Sequence, residues 1–260
     1  MPVIQSRGCP INVQIDGGER APVLIMSNSL GTNFGMWDPQ VAALARHFRL
    51  VRYDRRGHGQ SGVTPPPYTM ELLGRDVLAI MDSLGIKTAS WCGLSMGGMV
   101  GQWLGAHAPE RFDRLILCNT SCYYADKAAW VDRINAVQTG GTAAVAAGVA
   151  NRWFTPGFIA REPAQVARLT DMVLATPLDG YLGCCDAIRD MDHRALLPKI
   201  RAPTLIIAGS HDVATPVAEA EFIRERIPGA KLVVLDAAHI SNVEQAEKFT
   251  AEVLAFFNLQ

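Results

Sequence analysis

The stretch Trp91-Cys92-Gly93-Leu94-Ser95-Met96-Gly97-Gly98 decides the reading of this chain. It carries G-x-S-x-G, with Ser95 between Gly93 and Gly97. The apolar run Ala89 to Leu94 leads in, and the helix-compatible run Met99 to Ala108 leads out. Strand, sharp turn and helix form the setting in which this short pattern presents a nucleophilic serine. A serine at such a turn sits in a strained backbone conformation, so glycines are needed where segments crowd. Its hydroxyl then projects from a strand end at a helix N-terminus, whose amides favour developing negative charge. An ordinary glycine-rich turn would show the same letters, but the flanking elements favour the nucleophile.

Such a serine needs a base, and the base needs an orienting acid. In folds with this elbow the chain order is Ser, then Asp or Glu, then His. Thr204 to Gly209 reads as a buried parallel strand and runs into Ser210-His211-Asp212, which places Asp212 on a loop at a strand end. Lys231 to Leu235 reads as the next strand, followed by Asp236-Ala237-Ala238-His239. Ser241-Asn242-Val243-Glu244 has the spacing of a capping box that opens the last helix. His239 is thus the candidate base, on a short loop between a strand and a helix. Of the other histidines, His47 and His107 fall in helical stretches, His58 in the turn-rich Asp54 to Ser61 loop, and His193 in a polar connector. Asp236 is the rival acid. Asn119, at the end of the strand Leu115 to Cys118, holds the other place for an acid but has no carboxylate.

The oxyanion hole of such a site uses two backbone N–H groups. One belongs to the residue after the nucleophile, Met96. The other comes from the loop after an early strand, here Ser27 to Thr32 after Val23 to Met26, and is assigned to Leu30.

The chain alternates strand and helix, which implies a mostly parallel sheet covered on both faces, an α/β fold. Val3 to Asp16 reads as a starting hairpin closing near Gly17-Gly18, Asp38 as the N-cap of a helix from Pro39, Arg49 to Tyr53 as a strand, and Thr69 to Leu84 as a helix. Alternation stops near Ser121 and resumes near Pro203. Residues 121–197 therefore read as an inserted helical cap on a core of 1–120 and 198–260. Ligands of such sheets bind outside the strands' carboxyl ends, so the cap is expected to roof Ser95.

The 260 residues suffice for one sizeable core, with 49% hydrophobic residues. A net charge of −1 gives no footprint for nucleic acid or an anionic membrane surface. No apolar run reaches the about 18 to 20 residues that span a bilayer, and Met1 to Pro10 lacks signal-peptide features. The six cysteines form no C-x-x-C or metal spacing, so reduced thiols and a cytoplasmic location are expected, with no metal or organic cofactor. Self-association is left open.

Together the elbow, the order Ser95, Asp212, His239 and the Asp54 to Ser61 loop resemble the α/β-hydrolase superfamily over nearly the whole chain. Ser27-Asn28-Ser29-Leu30-Gly31, Met36-Trp37-Asp38-Pro39-Gln40, Arg52-Tyr53-Asp54 and Cys92 to Met99 resemble the 3-oxoadipate enol-lactonases. The His-Gly start common to many oxyanion loops of the superfamily is replaced here by Asn28-Ser29, which fits that subgroup. The resemblance implies Ser-His-Asp hydrolysis of an enol-lactone to 3-oxoadipate in aromatic catabolism, with a small lactone and water as the partners. A broader carboxylesterase or lactonase, a carbon–carbon bond hydrolase of the same fold, or a non-catalytic small-molecule sensor are the alternatives. A substrate carrying a carboxylate calls for a cation under the cap. Among Arg133, Arg152, Arg161, Arg168, Arg189 and Arg194, Arg133 is preferred because Trp130 lies one helical turn earlier; Trp130, Trp153, Tyr123 and Tyr124 are the expected walls.

Overall fold

The structure, a computed structural model, describes residues 3–259. The strands are β1 (Val3–Ser6), β2 (Cys9–Asp16), β3 (Val23–Ser27), β4 (Arg49–Tyr53), β5 (Ala89–Leu94), β6 (Phe112–Cys118), β7 (Thr204–Gly209) and β8 (Lys231–Leu235). They form an 8-stranded sheet in the order β1-β2-β4-β3-β5-β6-β7-β8. β1–β2 and β2–β4 pair antiparallel, and every pairing from β4 to β8 is parallel. β5 and β7 are buried at every position, as near-continuous apolar runs in a doubly covered sheet should be.

The sheet is covered by α1 (Asp38–Leu44), α2 (Met70–Ser83), α3 (Met96–His107) and, beyond β6, by α10 (Val217–Arg226) and the C-terminal pair α11 (Ser241–Glu244) and α12 (Ala246–Phe256). Between β6 and β7 lie α4 (Ala128–Gly140), α5 (Ala143–Ala146), α6 (Val149–Trp153), α7 (Pro156–Arg161), α8 (Pro163–Leu174) and α9 (Leu178–Asp190). These helices sit on the side of the strands' carboxyl ends, against the loops after β3, β5 and β8.

Local details differ from the sequence reading. The first hairpin turns at Arg7-Gly8, both with positive φ (47° and 76°), a two-residue turn whose twist suits a hairpin. Gly17 instead follows β2, where a Cβ would lie 2.1 Å from the Phe48 carbonyl. Asp38 does not cap α1 but lies in its first turn, with Trp37 at the cap. Its carboxylate is drawn to Arg52 at 2.8 Å, so an ion pair takes the oxygen that a cap would use. His47 lies just past α1 rather than inside a helix.

Candidate active site

Ser95 has φ 57° and ψ −116°, outside the regions open to an ordinary side chain. Its glycine neighbours make that possible. A Cβ on Gly93 would sit 2.2 Å from the Gly97 carbonyl oxygen, and one on Gly97 2.2 Å from that of Ser27. Backbone bonds brace the turn: Ser95 N–H donates to Cys118 O at 2.8 Å, and Thr120 Oγ1 donates to Ser95 O at 2.7 Å. Helix α3 starts directly at Met96, so its first amides point towards the serine end.

Asp212 and His239 meet across the ends of β7 and β8. His239 Nδ1 donates to Asp212 Oδ2 at 2.8 Å, and both residues are buried. That bond fixes the tautomer and leaves Nε2 with its lone pair. The acid is held by further donors: Asn119 Nδ2 at 3.0 Å, Thr215 Oγ1 at 2.7 Å, and the amides of Ala214 and Thr215 at 2.8 and 3.0 Å. Burial raises the Asp212 pKa, but His239 and the Thr215 donors outweigh it and hold the carboxyl near about 2. The rival Asp236 pairs with His211 at 2.8 Å on the exposed side of the same loops. Asn119 is therefore a donor to the acid rather than a vacant alternative to it.

In the loop after β3, Ser29 N–H contacts Met36 Sδ, Gly31 N–H donates to His58 Nε2 at 3.0 Å, and Thr32 N–H donates to Ser29 O. The Leu30 amide is left without an acceptor among the described residues. Arg55 grips the same loop through Asn28 O at 2.6 Å and Ser29 O at 3.4 Å. His58 is fully buried, and burial together with Arg55 pushes its pKa down to about 3, which keeps Nε2 an acceptor.

Ser95, His239 and Leu30 line one cavity of about 470 Å³. Its far wall is built by the helices between β6 and β7 and includes all three of Trp130, Arg133 and Trp153. Arg133 stacks over the Trp130 ring at 5.1 Å, the same-face pairing read from their spacing. Arg152, not selected from the sequence, lines the cavity as well, and its Nη2 is buried with no hydrogen-bond partner. Burial and the neighbouring Arg133 charge lower the Arg152 pKa. The other arginines of this segment have partners elsewhere: Arg161 with Glu162 and Phe158, Arg168 with Gly35 O and Asp38, Arg189 with Asp186 and Asp190, Arg194 with Asp192. Of the two expected tyrosine walls, Tyr124 lines the cavity and Tyr123 does not, lying instead under Arg194 at 3.6 Å. Tyr181 also lines it, and burial raises both the Tyr124 and Tyr181 phenols, Tyr181 to about 12, so they remain donors. Asp126 and Asp132 stand at the exposed rim.

The expected capping box at Ser241–Glu244 is not formed. Ser241 Oγ donates to Asn119 Oδ1 at 2.6 Å, and Glu244 accepts from Ala238 N–H at 2.9 Å and from Thr155. Buried polar groups nearby offered these side chains stronger partners than the amides of a short first turn. Sequence reasoning weighed Arg152 among the arginines of the segment without choosing it, read Glu244 only as a helix cap, and missed Tyr181 and Thr215 as parts of the site. Among the described residues no three His, Cys, Asp or Glu side chains cluster as a metal set.

A strained serine at an elbow, a buried His–Asp pair and the free Leu30 amide around one cavity define an acyl-transfer site on a doubly wound sheet. This chain belongs to the alpha/beta hydrolase fold family, whose profile matches residues 22–246. It is similar to 3-oxoadipate enol-lactonase 2 of Acinetobacter baylyi, at 43% identity over 94% of this chain and 92% of that one. The crystal structure of the enol-lactonase from Burkholderia xenovorans superposes with a TM-score of 0.97 at 44% identity, covering 99% of this chain and 100% of that one. A thermophilic esterase from Thermogutta terrifontis, solved with malate bound, gives a TM-score of 0.91 at 27% identity, covering 98% of this chain and 96% of that one.

Proposed function

We propose that this chain hydrolyses 3-oxoadipate enol-lactone to 3-oxoadipate, with Ser95 as nucleophile, His239 as base and Asp212 as its orienting acid. Residues 121–197 are the cap of that site, and the described residues hold no helix long and apolar enough to cross a membrane. Six buried, free cysteines fit a reducing cytoplasm.

The observation that carries the reading is the placement of Arg133 and Arg152 in the cavity of Ser95 and His239. Two guanidiniums in one cavity, with Arg152 lowered by burial and by the Arg133 charge and its Nη2 buried without a partner, favour an anionic ligand. The enol-lactone carries its carboxylate on an arm beside the ring. With that arm on the arginines, the ring shares the cavity with Ser95.

The mechanism of this reading uses these groups in turn. His239 Nε2 takes the Ser95 proton, and Oγ attacks the lactone carbonyl. The Leu30 and Met96 amides receive the oxyanion. The ring C–O bond breaks, and His239 returns its proton to the departing enol oxygen, which tautomerises to the ketone. His239 then deprotonates water, which attacks the acyl-enzyme, and returns that proton to Ser95 Oγ as the ester bond breaks. Asp212 stabilises the imidazolium throughout.

A panel of purified-protein assays tests this reading. The carboxylated enol-lactone should be turned over well ahead of neutral lactones and phenyl esters. Fast ester cleavage with negligible lactone turnover would mean a general esterase. Tight lactone binding without turnover would mean a sensor.

A further inference from the structure

The loop that carries His239 is tied to the cap on one side and, on the other, to a core carboxylate that itself holds the cap. Ile240 N–H donates to Trp153 O at 3.0 Å. On the other side, Ala238 N–H donates to Glu244 Oε2 at 2.9 Å. The same carboxylate accepts the Thr155 amide at 3.2 Å and the Thr155 hydroxyl. Thr155 in turn caps α7 through Phe158 N–H at 3.4 Å. Glu244 is buried, so its ties are made away from bulk water, where they are stronger and costlier to lose. Trp153 and Arg152, two and three residues before Thr155, are walls of that cavity.

We infer that Glu244 is a positioning residue that locks the His239 loop to the Arg152–Thr155 segment of the cap. The Ala238 peptide is clamped at both ends, its N–H by Glu244 and its carbonyl by Asn119 Nδ2 at 3.2 Å, and Asn119 also holds Asp212. One carboxylate thereby sets the imidazole's approach to Ser95 and the position of the Arg152–Trp153 wall together. Loosening it should cost turnover through the base and lactone affinity through the wall. The inference rests on His239 as the base, and it does not depend on which ester the site opens.

The test uses Glu244→Ala, Thr155→Val and Thr155→Ser, each checked for cooperative melting. Labelling by a serine-directed phosphonate reads the triad without any lactone. Lactone kinetics then read the wall. Glu244→Ala should slow labelling at least tenfold and raise the lactone KM several-fold while kcat falls. Thr155→Val should move both readouts the same way by a smaller factor, and Thr155→Ser, which keeps the hydroxyl, should stay within twofold of wild type. A folded Glu244→Ala protein that labels within twofold of wild type overturns the inference. If Glu244→Ala does not fold, the Thr155 pair decides: equal losses in Val and Ser variants, or none in Val, overturn it. Normal labelling of wild type without lactone turnover would refute the lactone reading and leave this inference standing.

Discussion

Asn119 Nδ2 donates to Asp212 Oδ2 across 3.0 Å, so the residue at one strand end orients the acid at the end of the next. Asn119 itself has φ 43°, a left-handed conformation that asparagine tolerates better than most residues. Asn119→Asp would set two carboxylates side by side, and like charges at that distance cannot both ionise easily. The acidic limb of the kcat/KM profile should move up by at least one pH unit. An unmoved limb would show that Asn119 does not act on the acid.

Asp212→Asn should preserve the fold but cut turnover by about ten-thousandfold, because the imidazole is left in the wrong tautomer. Asp236→Asn should cost far less, since Asp236 meets only the exposed His211. Steady-state kinetics on both variants check the assignment, and reversed phenotypes would refute it.

Arg133→Ala should raise KM for the carboxylated lactone at least tenfold, about 1.4 kcal/mol. Arg152→Ala should do the same, since its buried Nη2 has no other partner. Neither should change hydrolysis of a neutral ester of similar size. Equal losses on both substrates would reduce the two arginines to support for the cap wall.

Two buried histidines set the acid stability. Burial and Arg55 bring His58 down to about 3, and burial and His107 bring His193 down to about 4. Both folded values lie below the unfolded value of about 6.5. The unfolded chain therefore binds more protons in this range. The contribution is fully present above about pH 6.5 and is lost as pH falls through the folded values, by up to about 1.4 kcal/mol per pH unit for each residue. Chemical denaturation at pH 7, 6 and 5 should show this fall. His193→Gln should flatten it, and an unchanged slope would contradict the account.

Much of this site was legible in the sequence, for physical reasons. Gly93 and Gly97 announce the elbow because no other residue fits beside the Ser27 and Gly97 carbonyls. Asp212 and His239 follow because each sits just past an apolar strand whose length and flanks are plain. Arg133 was legible through its spacing from Trp130, a local helical relation. What could not be read is long-range. Glu244 looked like a helix cap because its partner Thr155 lies in another segment, brought near only by the folded cap. Arg152 could not be separated from its neighbours, because a short helix such as α6 has too few residues to declare an inward face. The hairpin turn slipped to Arg7-Gly8 because a glycine pair at Gly17-Gly18 gave the louder signal.

The central claim is that Ser95 opens a carboxylated enol-lactone. The most direct measurement is the single-turnover rate of 3-oxoadipate enol-lactone hydrolysis by wild type and by Ser95→Ala, with mass spectrometry of the quenched wild-type reaction. The account predicts fast ring opening by wild type, an acyl adduct on the peptide containing Ser95, and a loss of several orders of magnitude in the variant. Ring opening at near wild-type rate by Ser95→Ala, or an adduct on any other residue, would contradict it.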